Sequence, residues 1–209
     1  GLGGFAQQGR EYVTILEGSA STPAPWINVI ANPSFGFQVS ADGGGFTWAL
    51  DSQQNRLTPW SNDAVGDAPG DVLYVRDDET GEVWTSTALP IREGKSSYSA
   101  AHGQGYSRFE HNTHGVALEL LQYVPTDDAI KISRLKITNH SARRRRLSVT
   151  AYVEWVLGTS RVATAPFVVT EIDPVTDAMF AQNPWSNDFG EQVAFADLAG
   201  RQIAWTGDR

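Results

Sequence analysis

Carboxylates are the most numerous side chains in this sequence that could transfer protons. The candidates are Asp63, Asp67, Asp71, Asp77, Asp78, Glu110 and Glu154. Asp77 and Asp78 lie in a predicted hairpin turn, where solvated acids are common. Asp63 and Asp67 lie in a loop, where aspartates more often accept turn hydrogen bonds than contact a ligand. For Glu154 we predict a partly buried position with a charged partner.

Three histidines occur near a glutamate. His102, His111 and His114 accompany Glu110, a combination that could bind a metal or transfer a proton. Their spacing matches no zinc motif. We therefore predict structural roles for the histidines and no metal site.

Tryptophans could stack on the apolar faces of a ligand such as a sugar. Trp48 and Trp155 belong to predicted core-facing strands, whereas Trp60 and Trp185 lie in loops and are open to either role. The four arginines at 143–146 resemble a nucleic-acid or lipid patch in isolation. Beside a turn in an acidic chain we predict a solvated hairpin flank instead.

The overall composition limits the possible functions. The chain has 209 residues, no cysteine and a net charge of −8, which excludes disulfides and thiolate chemistry and disfavours general binding to nucleic-acid backbones. No apolar run is long enough to span a bilayer, and the start lacks a signal-peptide core. We expect a soluble, single-domain piece without a metal or organic cofactor.

The elements that must position these residues are short strands. Hairpins are predicted for 35–40 with 46–50 and for 72–75 with 83–85, each with a turn rich in Gly or Asp between its strands. Further strands are predicted at 11–17, within 98–110, at 116–124 and 130–137 with a bulge, and at 168–170, 179–181, 193–195 and 202–205. Since helical periods are absent, we predict an all-β fold of two large antiparallel sheets packed face to face.

The cleanest alternation runs through residues 147–155. Leu147, Val149, Ala151, Val153 and Trp155 alternate with polar or exposed-type residues, so we predict that they face the core. Residues 55–70 cannot form a regular element because Pro59, Pro69 and several turn residues interrupt them. A loop of that length that carries Trp60 suggests a functional role.

Several ordered segments resemble one family. They are TPAPWINVIANPSFGFQVSADGGGFTW, NRLTPWSNDAVGD, YVRDDETGEVWTST, HGQGYSRFE, RLSVTAYVEWVLG and the terminal TGDR. They resemble the amino-terminal domain of the inverting glycoside phosphorylases, glycoside hydrolase family 94, and in particular the phosphorylase-like portion of the cyclic β-1,2-glucan synthetases. One departure is Asp51-Ser52-Gln53-Gln54, where the glucan-synthetase branch usually has Asn-Ser-Arg-Glu, so an ion pair at that spot is in doubt.

This resemblance implies a β-supersandwich, a fold shared with the sugar mutarotases, over residues 1–209. In the family a helical linker and an (α/α)6 barrel follow, and the barrel carries the catalytic aspartate and the site for inorganic phosphate, the co-substrate. The expected function is a non-catalytic domain of a bacterial β-glucan enzyme that supports the barrel and one wall of the sugar site. A homodimer, a cytoplasmic location and anchoring of the parent to the inner membrane by other segments are further expectations.

The resemblance also directs attention to particular residues. In similar disaccharide phosphorylases the loop after the strand that ends near Gly158 offers an arginine to a sugar, which points to Arg161. The other candidate sugar contacts are Trp60, Asn62 and Asp63 of the long loop. Two rival functions remain open: an independent carbohydrate-binding module and a mutarotase-like epimerase that uses the histidines.

Overall fold

The computed structural model describes residues 1–63 and 65–207, and these are folded mainly as antiparallel β-strands. The strands are β1 (Gly3–Ala6), β2 (Glu11–Glu17), β3 (Ile27–Ala31), β4 (Phe35–Ser40), β5 (Gly45–Ala49), β6 (Asp71–Asp77), β7 (Val83–Thr85), β8 (Ser97–Gly103), β9 (Tyr106–Thr113), β10 (Val116–Tyr123), β11 (Ile132–Asn139), β12 (Leu147–Val153), β13 (Val169–Ile172), β14 (Met179–Gln182) and β15 (Ala194–Ala196). A 3₁₀ turn spans Gln7–Gly9, and helix α1 spans Arg161–Thr164.

The larger sheet has six strands in the order β1-β2-β8-β9-β10-β11. Its central strands follow the alternation expected from the sequence, and β10 buries Val116, Leu118 and Leu120 on one face. The β9–β10 turn consists of His114 and Gly115, whose φ angles of 50° and 75° suit the tight turns that match the twist of a hairpin. Among the described strands, β11 is the edge of this sheet on the side of β10.

Two three-stranded sheets, β3-β4-β5 and β12-β6-β7, form the opposite layer. Isolated bridges connect them: Gly45 pairs with Pro69, and Arg56 pairs with both Trp48 and Gly158. The two packed layers of the predicted sandwich are therefore present. The second layer is divided because the proline-rich connection from β5 to β6 crosses it and cannot continue a regular ladder.

The core lies between the two layers. Beneath β3 and β4, the side chains of Ile30, Phe37 and Val39 pack with Phe109 and Leu120 of the six-stranded sheet. A second cluster joins Val75 and Trp84 of β6 and β7 to Val116 and Leu118 of β10. Both clusters contain residues from both layers, so the burial of apolar area holds the sandwich together.

A third small sheet, β13-β14-β15, follows helix α1. Its strands are only three or four residues long, and Val169 and Phe195 remain about half exposed. In the described part of the chain, no helix has the length and apolar character needed to cross a membrane. Asp208 and Arg209, the last residues of the TGDR motif, lie outside the described residues.

The predicted hairpins are confirmed, with β4–β5 and β6–β7 antiparallel and in register. The bulge predicted within 130–137 is wrong. β11 begins at Ile132 and pairs with β10 without interruption up to Asn139, so Ile132, opposite Tyr123, lies on the other face of the sheet from Leu135 and Ile137. The strand predicted at 202–205 is also wrong, and strands β1 and β3 were not predicted.

The predicted core face of residues 147–155 is wrong for the middle of β12. Val149 is 38% exposed, and Ala151 is exposed as well. Val75, the direct partner of Val149 on β6, is fully buried. Since the six-stranded sheet ends at β11, β12 lies beyond the area that the opposite layer covers, and its apolar face opens onto a groove.

Candidate functional site

Residues Asn55–Trp60 form an ordered crossing segment. Asn55 donates from Nδ2 to the carbonyl of Ala49 at 3.0 Å, and the Thr58 hydroxyl oxygen accepts the Thr47 amide at 2.8 Å. These bonds satisfy a strand edge that prolines prevent from pairing regularly. The segment therefore lies against β5 in one conformation, which fixes the direction of Trp60.

Arg56 joins this segment to the end of β12. Its ring-facing guanidinium carbon lies 5.2 Å from the centroid of Trp60, whose indole stacks on Phe46 at 4.7 Å and 13°. Its Nη1 donates to the carbonyl of Thr159 at 3.1 Å, and its backbone exchanges hydrogen bonds with Gly158. Arg56 thus stabilises the stretch that precedes Arg161 through the cation–π contact and hydrogen bond of its side chain and through its backbone hydrogen bonds.

The loop after Trp60 folds on its own polar groups. Asp67 is buried and accepts hydrogen bonds from the Ser61 hydroxyl at 2.5 Å and the Ser61 amide at 3.3 Å. The exposed Asp63 accepts the amides of Val65 and Gly66, and these backbone hydrogen bonds lower the pKa of Asp63. Asp63 therefore closes a turn as an ionised carboxylate.

Asn62 and the start of this connection have local backbone roles. Asn62 is exposed and adopts a φ of 52°, a left-handed conformation that asparagine tolerates in turns. Earlier in the connection, Asp51 accepts the amides of Gln53 and Gln54 at 2.7 and 2.8 Å. At the position where the sequence departs from the glucan-synthetase branch, an aspartate-closed turn is therefore present.

Arg161 is the first residue of helix α1. The helix is capped by Ser160, whose side chain accepts the Ala163 amide, as serine commonly does at this position. The Arg161 Nε lies 2.9 Å from Glu154 Oε1, and the side chain of Arg161 is 66% exposed. The partner predicted for Glu154 is thus Arg161, and the outer edge of the guanidinium faces solvent.

A third connection, residues 183–192, meets the same edge of the domain. Asn183 donates to the carbonyl of Leu157 at 3.0 Å, and Asn55 donates to the side chain of Gln192 at 3.0 Å. On this connection Trp185 is 75% exposed, and its ring lies 5.7 Å from that of Phe167. The crossing segment, the Arg161 helix and the 183–192 connection therefore form one region, which we call the three-loop edge.

The structure brings Trp60 and the Arg161 stretch together through Arg56. It keeps Asn62 and Asp63 in the exposed turn beyond Trp60. The sequence reasoning missed Arg56, although its position in the Asn-Arg-Leu-Thr-Pro-Trp run before an aromatic residue was a signal for a cation–π contact.

The histidines lie elsewhere and contact other protein groups. His102 bonds Ser107 at 2.9 Å, and burial lowers its pKa. His111 is fully buried, and Glu110 pairs with Arg108 at 3.4 Å. Within the described ranges, no group of three or more His, Asp or Glu side chains is arranged to hold a metal ion.

The arginine run and the aspartates at 77–78 differ from the prediction of solvated side chains. Asp77 is fully buried and accepts Arg145 Nη1 at 2.5 Å and Arg143 Nη2 at 3.1 Å. Arg146 lies 3.7 Å from Asp78. Arg143 and Arg145 therefore hold the β6–β7 turn through Asp77. Within the run 143–146, only Arg144 is exposed without an ion-pair partner among the described residues.

An open groove of about 800 Å³ lies beside β12. Apolar side chains from β6, β11, β12 and β15 line it, among them Leu73, Leu135, Val149 and Phe195. Trp155, predicted to face the core, is half-buried on its wall. Residues of β11 and β12, which are terminal strands of their sheets among the described strands, line the groove.

These features define an all-β, two-layer sandwich with loops gathered at one edge. A sequence model of the family described as "Glycosyl hydrolase 94, supersandwich domain" matches residues 10–209. The chain therefore belongs to the glycoside hydrolase 94 supersandwich family.

Relatives with assigned activities agree with this membership. The chain is 43% identical over its full length to the cyclic β-(1,2)-glucan synthase NdvB of Rhizobium meliloti (strain 1021), of which it covers 7%. It is 30% identical over 155 residues, 73% of the chain, to the N,N'-diacetylchitobiose phosphorylase of Vibrio furnissii, covering 19% of that protein. It is 31% identical over 164 residues, 75% of the chain, to the solabiose phosphorylase of Paenibacillus borealis, covering 20%. The chain thus spans a fifth or less of each of these relatives.

Proposed function

We propose that this chain is a non-catalytic, carbohydrate-associated domain of a longer enzyme that processes β-glucans with inorganic phosphate as co-substrate. The proposal rests on the family and on the names of the relatives, which are phosphorylases and a glucan synthase. In this proposal the chain is one supersandwich domain, and a catalytic barrel of the same polypeptide carries the acid and the phosphate site.

The observation that carries the proposal is the three-loop edge. Arg56 connects Trp60 to the Thr159 carbonyl, and the Arg161 guanidinium lies exposed next to that bond. Loops at one edge of a rigid sandwich are a common place for binding residues. A planar guanidinium can donate paired hydrogen bonds to neighbouring hydroxyls, so Arg161 is suited to contact a sugar at the wall of a site.

Arg161 has donors to spare for this contact. In the part of the chain that the structure describes, its ion pair with Glu154 uses Nε. Both Nη groups can therefore meet a ligand while Glu154 holds the side chain in place. Trp60, Asn62 and Asp63 would contribute around it, with Trp60 as the rigid member because Phe46 and Arg56 flank its ring.

The open groove supports the part of the proposal that concerns contact with the rest of the longer enzyme. A groove of about 800 Å³ lined by Val149, Ala151 and Leu73 exposes apolar area that a longer polypeptide or a second copy can bury. We propose that the remainder of the longer enzyme, including its barrel, covers part of this surface. A homodimer, a cytoplasmic location and membrane anchoring by other segments belong to the same proposal.

One observation favours a second function, that of an independent carbohydrate-binding module. Trp185 is 75% exposed beside Phe167, and exposed aromatic rings suit the apolar faces of sugars. By contrast, the epimerase hypothesis has little support, because His111 is fully buried and both nitrogens of His102 face protein oxygens of Ser107 and Trp26.

The test measures turnover and sugar binding by the 209-residue chain alone. We expect the chain alone to release no sugar 1-phosphate from β-1,2-linked gluco-oligosaccharides and phosphate, and to bind them weakly or not at all by calorimetry. Turnover by the chain alone would contradict the non-catalytic assignment. Binding in the micromolar range that a Trp185→Ala change abolishes would instead establish the binding module.

A further inference from the structure

The outer face of the β3-β4-β5 sheet carries a group of aromatic side chains. Phe37 and Thr47 are direct partners across β4 and β5, and both are buried on the inner face, where Phe37 belongs to the core. Successive side chains of a strand point to opposite faces, so Phe46 and Trp48 lie on the outer face. The predicted core position of Trp48 is therefore wrong, because Thr47 occupies the core side of this strand.

The Trp48 indole lies across the neighbouring strand β4 at Gly36. A Cβ atom on Gly36 would be 2.5 Å from Cζ2 and 2.9 Å from Cε2 of Trp48, so only glycine leaves room for the ring at this position. Ala31, the partner of Gly36 on β3, is also small. The half-buried indole is therefore seated on the sheet, and its other side is turned outwards.

Trp60 extends this aromatic surface. Its indole stacks on Phe46 at 4.7 Å, and Phe46 lies 5.2 Å from Trp48. The guanidinium carbon of Arg56 is 5.2 Å from the centroid of Trp60 and 5.8 Å from that of Phe46. Since these separations form a nearly regular triangle, Arg56 lies beside the stacked pair. It does not cover the side of Trp60 that points away from Phe46.

Two polar side chains accompany the indoles. Arg56 pairs with Trp48 in an isolated bridge, which places both on the same face. Its Nε and Nη1 donate to carbonyls, whereas Nη2 has no hydrogen bond within the described chain. Gln38, the partner of Phe46 on β4, is half-buried, and its side-chain amide has no hydrogen bond to a described residue. A free guanidinium donor and a free amide therefore lie among the rings.

This combination of groups suits a neutral sugar chain. Sugar rings present apolar C–H faces to an indole and hydroxyls to an amide or a guanidinium. An apolar peptide would leave the Gln38 amide and Arg56 Nη2 unpaired, which costs free energy. The net charge of −8 disfavours a polyanion. The relatives are a β-(1,2)-glucan synthase and phosphorylases, which favours a glucan among the neutral sugars.

We propose that Trp48, Trp60, Gln38 and Arg56 form a binding site for a segment of a β-glucan chain, which we call the aromatic face. The indoles stack on sugar rings, and Gln38 and Arg56 form hydrogen bonds with the hydroxyls beside them. Trp60 and Arg56 also belong to the three-loop edge, so a bound chain can extend from one surface to the other. The choice of a glucan as the ligand rests on the proposed function, whereas the site itself rests on the geometry of the sheet.

The test is a titration of the 209-residue chain with β-1,2-linked gluco-oligosaccharides, followed by NMR of the assigned indole N–H signals. The chain has seven tryptophans, so these signals distinguish the candidate surfaces. We expect the signals of Trp48 and Trp60 to shift together and to saturate. The fully buried Trp84 is the internal reference, and the signal of the exposed Trp185 should stay in place.

Matched substitutions then test which side chains bind the sugar. Trp48→Ala and Gln38→Ala should each weaken the affinity about three- to tenfold, the effect of one lost aromatic or hydrogen-bond contact. Trp185→Ala is the control and should keep the affinity of the unmodified chain. Thermal melts show whether each variant is folded. Gln38→Ala leaves every ring in place, so it decides the matter if Trp48→Ala does not fold.

Three results would overturn the proposal. They are indole shifts confined to Trp185, an unchanged affinity in the folded variants Trp48→Ala and Gln38→Ala, and the absence of a shift at any tryptophan. None of these results contradicts the proposed function, which is tested separately by turnover of the chain alone.

Discussion

Arg56 shows how one side chain can organise a site at the residue scale. Its guanidinium contacts the faces of Phe46 and Trp60 and also bonds the Thr159 carbonyl. Local sequence patterns do not reveal this contact, because Arg56 and Thr159 are 103 positions apart in the chain. The loop position of Trp60 was predictable from prolines and turn residues, but the residue that fixes it was not.

Replacement of Arg56 by lysine tests this role. Lysine keeps the charge but lacks the planar fork that both stacks and donates to a carbonyl. We expect Arg56→Lys to lower the melting temperature by about 2–4 °C, equivalent to about 1 kcal/mol in a chain of this size. Arg144→Lys, at an exposed position, is the control and should change nothing measurable; equal melting of the two variants would contradict the bracing role.

At the scale of elements, β12 shows where pattern and structure diverge. Alternation correctly predicted the strand and its apolar face, because period two is a local property of the chain. Whether that face is covered depends on how far the opposite sheet extends, which no local pattern records. β10, which is paired with a strand on each side, follows its pattern fully.

The pair Val149 and Val75 makes this difference measurable. They are direct partners across β12 and β6, with exposures of 38% and 0%. We expect Val75→Asp to cost several kcal/mol or prevent folding, since it buries an unpaired charge. Val149→Asp should cost about 1 kcal/mol or less because water reaches the groove. Chemical denaturation measures both, and a large loss in Val149→Asp would show that the groove is closed in solution.

The β6–β7 turn carries a second testable feature, the buried Asp77. Hydrogen bonds to Asp77, first from the Glu79 amide and then from Arg145, lower its pKa despite burial. A carboxylate with a lowered pKa stabilises the fold above its unfolded value, about 3.9, and this stabilisation is lost as pH falls through the lower folded value.

We therefore expect the Asp77→Asn protein to melt several degrees lower than the unmodified protein at pH 7, with the difference shrinking towards pH 2. Asp127→Asn, in an exposed segment, provides the control. Thermal melts across this range measure the effect. If the deficit in melting temperature persisted unchanged at low pH, the loss would come from altered packing and not from the removed charge.

For the molecule as a whole, the sequence predicted the fold class well. Strand spacing and turn chemistry indicated an all-β sandwich, and both packed layers are present. The division of the second layer and the open groove depend on contacts between distant segments, so they were not predictable. The structural roles of the histidines stay a prediction, made because nothing in their spacing suggested a metal site.

The central claim is that the three-loop edge serves a sugar site in the longer enzyme, and Arg161→Ala in that enzyme tests it most directly. Loss of one charge-assisted hydrogen bond should lower kcat/KM about ten- to a hundredfold. Two controls accompany it. Glu154→Gln removes the negative charge but leaves an amide oxygen that can still accept from Arg161 Nε and hold the guanidinium, and Arg144→Ala removes an exposed arginine elsewhere.

The account predicts that Arg161→Ala loses phosphorolytic efficiency while Glu154→Gln and Arg144→Ala stay within about threefold of the unmodified enzyme, a difference of less than 1 kcal/mol. Unchanged kinetics for Arg161→Ala, or a larger loss for Arg144→Ala, would contradict the assignment of this edge to the sugar site.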